Sequence, residues 1–426
     1  MDSLEQKKLP NIIIDLGSNK IKFGFSSDLF PKYIIPNITG KIKPNCFSPI
    51  KSYDNYYCGY DALYNSPSLD LSYPLLDNGG KFSSEQEYMK DYEQLFHYIF
   101  TEKLQIEEVN YNIFLINSIF TTVKEQETIA EILFEKFKIF NLHFEPQSIM
   151  SLFSTSQTSG VIVNSGEIFT EIVPIYEGYI ISDCIKKFPI GGYELTKKFM
   201  EKYSNDFELY NVCNHYYMGQ TIKEKFSEIL HSHKDYEDVI NKKEITKKEY
   251  NLPDGNIIEI GNEIYEIPES IFCPEILNIQ SETLPKMIVD SIDKCEISTR
   301  KELLNNIILG GGNTYIKGFE QRLKSEINNI KKRNCGIICL EERGCSAWIG
   351  ASRISTLGNF EGQWISRNDY PNQRGLFEND YFFNYSGLND KKREQMDINN
   401  NIYRDEIYKK FILYFFSLYI SFLSIC

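Results

Sequence analysis

The feature that most limits what this chain can fold into is a buried strand that breaks in a tight turn and resumes, written twice. Ile12-Ile13-Ile14 is an apolar run broken by Asp15-Leu16-Gly17-Ser18, after which Ile21, Phe23 and Phe25 alternate with Lys22 and Gly24. A short apolar run bounded by turn residues reads as a buried strand, and strict alternation reads as a strand with two unlike faces. The same grammar returns at Val161-Ile162-Val163, followed by Asn164-Ser165-Gly166-Glu167 and a strand-like stretch from Phe169 to Ile175. That spacing is too long for a solenoid and suits a domain duplication in which each half opens with a hairpin. From the pattern alone, a coincidence between two short hairpins carries equal weight. Apolar residues at three- and four-residue spacing predict helices over Glu85 to Phe100 and Val123 to Phe137. Strands alternating with helices make the class α/β.

Farther along, 215–250 is polar and mostly helical in pattern, and Leu252-Pro253-Asp254-Gly255-Asn256 reads as a turn between extended segments. Ile307-Ile308-Leu309 runs as a third strand into Gly310-Gly311-Gly312-Asn313-Thr314. A chain of 426 residues, 42% of them hydrophobic, can build two or three domains with a sizeable core. Its formal net charge is −13 and its Lys and Arg residues are scattered, which argues against direct binding of nucleic acid. Ten cysteines without a C-x-x-C pair read as reduced thiols, and Cys335, Cys339 and Cys345 lack the histidine support of a metal site. No apolar signal segment opens the sequence, so N-terminal secretion is not expected. Phe411 to Cys426 carries no charge. A helix of that length falls short of the roughly 30 Å hydrocarbon core of a bilayer. Only residues 411–426 could touch a membrane, and a docking segment or a gene-model artefact are the competing readings of that tail.

A tight turn after a buried strand aims consecutive backbone N–H groups at one point, a nest that binds phosphate without a helix. Gly17 and Gly166 permit that geometry, Lys22 offers positive charge and Ser18 a hydroxyl. Asp15 and Asn164 stand at equivalent places in the two hairpins, where a side-chain oxygen could face a hydrated Mg²⁺ or Ca²⁺. The run Gly310-Gly311-Gly312 would let backbone approach a nucleotide closely. Each of these turns, taken alone, also fits an ordinary hairpin.

Together with other stretches they resemble the actins and actin-related proteins. The likeness is carried by Ile14-Asp15-Leu16-Gly17-Ser18 with Lys22; Pro146-Gln147-Ser148-Ile149; Val173-Pro174-Ile175-Tyr176-Glu177-Gly178-Tyr179; Ile222-Lys223-Glu224-Lys225; Gly311-Gly312-Asn313-Thr314; and Ser346-Ala347-Trp348-Ile349-Gly350 through Gln363-Trp364-Ile365-Ser366. It runs from Ile12 to Phe383, with a short insertion after Pro74. The resemblance implies an actin-like fold of two lobes and four subdomains around a nucleotide cleft. It puts the first lobe at 1–150 with an outer subdomain near 37–78, and the second at 151–355 with one near 193–268. A return to the first lobe at 356–383 and an extra tail at 384–426 complete it. The implied ligand is ATP or ADP with Mg²⁺ or Ca²⁺. Gly17, Ser18, Asn19, Lys22, Gly166 and Glu167 would surround the phosphates; Gly192, Lys223, Glu224, Gly311 and Gly312 would meet the ribose and base. Asp15, Gln147 and Asn164 would hold the hydrated cation, and Gln147 would position the attacking water.

The departures from the family pattern point to relaxed chemistry. Asn164 replaces an aspartate and Glu171 a histidine, so hydrolysis is expected to be slow or absent. Asn19 and Ile168 stand where glycines are usual, and Ile316 and Gly344 where an aromatic and a lysine would meet the adenine. Base stacking and positive charge are therefore expected to be reduced. The segment from Lys41 to Tyr56 keeps the length but not the residues of the loop that docks into a neighbouring subunit. The resulting expectation is a structural subunit of a cytoskeletal filament, motor-adaptor or filament-nucleating assembly in the cytoplasm. A nuclear chromatin-remodelling subunit is the alternative, and a phosphotransferase of the same superfamily the least favoured one.

Overall fold

The computed structural model describes residues 11–44, 55–75, 85–106, 111–209, 214–241, 247–252, 255–355 and 364–370. Most of the expected docking loop, the insertion after Pro74 and the tail at 384–426 lie outside them. Both hairpins form. β1 (Ile12–Leu16) pairs antiparallel with β2 (Lys20–Phe25), and β3 (Tyr33–Pro36) continues the sheet. An outer three-stranded sheet follows, made of β4 (Thr39–Ile42), β5 (Tyr56–Cys58) and β6 (Leu69–Ser72), with its own small core of Ile38, Tyr57, Ala62 and Leu69. The chain then returns to lay β7 (Asn112–Asn117) parallel to β1, and β8 (Asn141–Pro146) parallel to β7.

The second half repeats this wiring. β9 (Gly160–Ser165) and β10 (Thr170–Tyr176) form the hairpin, extended by β11 (Tyr179–Ile180) and β12 (Lys186–Phe188) on β10. An excursion carries β13 (Lys248–Asn251) and β14 (Ile257–Ile260), joined by the turn that Gly255 closes at φ +90. β15 (Ile307–Gly310) then runs parallel to β9, and β16 (Ile337–Cys339) parallel to β15. Short β17 (Ile365–Ser366) crosses back to pair with β8. Parallel neighbours with helices on both faces explain why β1 and β9 are near-continuous apolar runs rather than alternating ones.

The predicted helices are present. Glu85–His97 continues as a π-helical turn over Tyr98–Lys103, and Val123–Glu131 as another over Ile132–Lys136. The polar 215–250 stretch holds helices His215–Phe226 and His233–Asn241 before β13. Between the two sheets lie helices Gln147–Ser154 and Ser346–Ser355, whose buried side chains share one core with Ile13, Phe114, Ile162 and Val173. Trp348 is fully buried there, and its indole N–H donates to the Ile13 carbonyl at 3.2 Å. This helix pair joins the lobes. No helix among the described residues is long and apolar enough to cross a membrane.

Candidate functional site

Asp15 is the one polar residue of β1, is 1% exposed, and faces Lys22 directly across the hairpin. The Lys22 ammonium donates to Asp15 Oδ2 at 2.7 Å. Burial works against the Lys22 charge, but the Asp15 carboxylate, with smaller help from Cys345 and Tyr315, holds the ammonium's pKa above its ordinary value. The turn between them needs Gly17: a Cβ there would stand 2.5 Å from the Lys20 carbonyl oxygen.

In the second hairpin Asn164 is paired with Glu171 and Ser165 with Thr170. Gln147, at the head of its helix, connects the two hairpins. Its Nε2 donates to Asp15 Oδ1 at 2.7 Å and its Oε1 accepts from Asn164 Nδ2 at 3.1 Å. Lys22, Asp15, Gln147 and Asn164 thus form one hydrogen-bonded chain between the lobes. It brings together the three residues expected around a cation, as one carboxylate and two amides.

The glycine loop after β15 closes on the same place. Gly311 has φ +82, and a Cβ there would lie 2.2 Å from the Ser165 carbonyl oxygen. Gly312 would meet nothing within 4 Å. Asn313 Nδ2 donates to the Gly166 carbonyl at 2.6 Å, tying loop to hairpin. Lys223, 4% exposed, donates to the Gly192 carbonyl at 2.9 Å, and Glu224 reaches Lys20 of the other lobe at 3.4 Å. Every expected contact residue except Gly192 lines a single cavity of about 790 Å³. Gly192 sits behind it, where a Cβ would stand 2.4 Å from Glu167 Oε2. The volume is that of a site for a small organic ligand, for which about 300–1,000 Å³ is usual.

Beside the two positions where an aromatic and a lysine are expected to be missing stand Tyr315 and Arg343. Both line the cavity, one residue before Ile316 and Gly344, and the Arg343 guanidinium lies 4.1 Å from the Tyr315 ring centroid. Arg343 is held in place by Thr314 and by the Leu340 carbonyl, to which its Nη1 donates at 3.0 Å. An aromatic ring and a cation are therefore present at the wall where their absence is expected. Their signal is visible in the sequence as direct neighbours of the two expected positions; only packing shows that the neighbours face inward.

Glu171 does not line the cavity. It is 2% exposed, accepts from the Ser118 hydroxyl through Oε1, and has no hydrogen bond of ordinary geometry to Oε2 among the described residues. Burial raises its carboxyl to about 7, against the opposing pull of Ser118, Asn164 and the Ile119 backbone. Ser118 does line the cavity, so Glu171 touches it through one intermediary.

The actin family model matches residues 6–377 of this sequence. That span contains both hairpins, the glycine loop, the helices that join the lobes and every residue of the cavity, and the chain therefore belongs to the actin family.

Proposed function

We propose that this protein is a nucleotide-binding structural subunit of a cytoskeletal, filament-nucleating or motor-adaptor assembly, with slow or absent ATP hydrolysis. The proposal includes the lobe limits read from the sequence and the cytoplasmic location that goes with them. The single observation that carries the nucleotide-binding reading is the chain Lys22, Asp15, Gln147, Asn164 inside one cavity between duplicated hairpins.

The residues present fit a nucleotide. Gly312 leaves room for close approach on the β15 side, Lys22 and the hairpin turns provide donors for phosphate, and Tyr315 with Arg343 offers a flat, positively charged wall for a base. Asp15, Gln147 and Asn164 would hold a hydrated Mg²⁺ or Ca²⁺, which when bound supplies neutralising charge beside the phosphates.

The same geometry argues against fast turnover. Gln147 is the residue that would orient water, yet both ends of its amide are engaged, one by Asp15 and the other by Asn164. An aspartate at 164 would have no N–H to give and would leave Gln147 Oε1 free to accept from water. Asn164 also lacks the charge to accept a proton, and Glu171 is set back from the cavity.

The test is Asn164→Asp, followed by phosphate release and by retention of nucleotide on gel filtration. Faster release with unchanged retention supports the reading. Rapid release from the unaltered protein, or failure to retain any adenine nucleotide, refutes it. Subunits co-purifying with the protein decide the assembly: motor-adaptor or filament-nucleating partners support the cytoskeletal role, and remodeller subunits overturn it.

A further inference from the structure

We propose that a tyrosine clasp spans the mouth of the cleft, holds the two lobes together, and sets the rate at which nucleotide leaves. The inference rests on the nucleotide reading for its second half only; the clasp itself rests on contacts between the chain's own residues.

The observations lie on both sides of the cleft. From the first lobe, the Asn19 amide donates to Glu167 Oε2 at 3.1 Å, directly between the two hairpin turns. Tyr73, just past β6 of the outer sheet, meets helix His215–Phe226 of the second lobe. Its ring lies 5.3 Å from that of Tyr216, edge to face, and its hydroxyl accepts from Asn214 Nδ2 at 3.1 Å. Tyr216 in turn donates its hydroxyl to Glu167 Oε1 and packs on Tyr193 at 5.9 Å. Lys223 stands 3.8 Å from the same carboxylate, and Lys20 reaches Glu224 at 3.4 Å. Glu167, 7% exposed, is the knot: a buried carboxylate that accepts from Asn19 of the first lobe and from Tyr216 of the second, with the Lys223 ammonium as an ion-pair partner.

The physical character of these contacts matters. Apart from the partly exposed Lys20–Glu224 pair and the buried Lys223–Glu167 pair, they are ring contacts and hydrogen bonds that added salt screens little. Asn19 also acquires a purpose. A glycine, usual at that position, would have no side chain to reach Glu167, so the departure that fills the first turn is also the first-lobe half of the clasp. Asn19 and Glu167 line the cavity, and the contacts of Tyr73 with Tyr216 and Asn214 lie behind them, so the proposed gate opens when Tyr73 parts from Tyr216 and Asn214.

Two variants outside the binding residues test this: Tyr73→Ala, which removes ring and hydroxyl, and Tyr216→Phe, which removes only the donor to Glu167. Backbone hydrogen exchange is measured in the ligand-free protein at the 17–19 and 166–169 turns, and dissociation of a fluorescent ATP analogue is followed after an ATP chase. Faster exchange at both turns is expected in each variant, with dissociation about tenfold faster for Tyr73→Ala and less for Tyr216→Phe. Exchange equal to that of the unaltered protein overturns the clasp, and faster exchange with unchanged dissociation overturns its role as the gate. Should Tyr73→Ala not fold, Tyr216→Phe decides by the same two readouts. If the unaltered protein binds no analogue, the nucleotide reading and the gating role fall together, and exchange alone still judges the clasp.

Discussion

At the scale of single residues, two substitutions act together. Asn164 and Glu171 face each other across one hairpin, so the carboxylate expected on β9 is absent there while another stands opposite on β10. The displaced carboxylate is buried, and this has a consequence for stability. A carboxyl raised to about 7 from 4.5 keeps its proton in the folded chain over a range where the unfolded chain has lost it. Folding is therefore favoured fully below 4.5, and that contribution is lost as pH rises through about 7. The window spans on the order of 3 kcal/mol for a shift of this size. In nucleotide-free and cation-free protein, Glu171→Gln is expected to flatten urea stability between these limits and to be the more stable form at pH 8. Parallel pH profiles for the two proteins would contradict the burial argument. Asn164 also shows why a residue's identity and its role separate: the sequence reveals a lost charge, but not that the amide pins Gln147.

Among elements, the helix pair Gln147–Ser154 and Ser346–Ser355 is the closest packing in the joint between lobes. A Cβ on Gly350 would stand 1.9 Å from the Met150 carbonyl oxygen, a backbone atom that cannot turn aside. Gly350→Ala is expected to force the helices apart at a cost of about 1–3 kcal/mol or more. Gly312→Ala, which meets nothing within 4 Å, is the matched control and should leave the unfolding midpoint nearly unchanged. Thermal or urea unfolding of both variants checks the contrast, and equal midpoints would remove the case for close packing. The helix pair was legible in outline, since Pro146-Gln147-Ser148-Ile149 and Ser346-Ala347-Trp348-Ile349-Gly350 carry the family likeness. That the two segments touch was not, because nearly two hundred residues separate Ser151 from Ser346, whose hydroxyls meet at 3.0 Å.

For the whole molecule, the two halves repeat one wiring: an antiparallel hairpin, an excursion, and a return of parallel strands. The cavity lies where the hairpin turns of both halves converge, so its ligand would bind the folded pair and not either half alone. A nucleotide at about 100 times its Kd should add about 2.7 kcal/mol to the unfolding free energy of the intact chain. Thermal unfolding with and without ATP and Mg²⁺ measures this, and no shift at millimolar ATP would speak against nucleotide binding.

What the sequence determined by itself is local or nearly so. The apolar runs at Ile12 and Val161, the glycines that end them, the helix periodicities and the third strand into Gly310 are all set by side-chain period and backbone freedom within a few residues. Those signals were enough for the class, the hairpins and the turn residues Asp15, Gly17, Lys22, Asn164 and Gly166, while Gln147, Gly192, Lys223 and Glu224 were expected in the cleft from the family resemblance. Three things were decided only in the tertiary structure: the inward turn of Tyr315 and Arg343, the pinning of Gln147 between lobes, and the meeting of Asn19 and Tyr73 with Glu167, Asn214 and Tyr216. Each depends on atoms brought together from distant parts of the chain, where hydrogen-bond geometry and burial, rather than sequence period, determine what a side chain does.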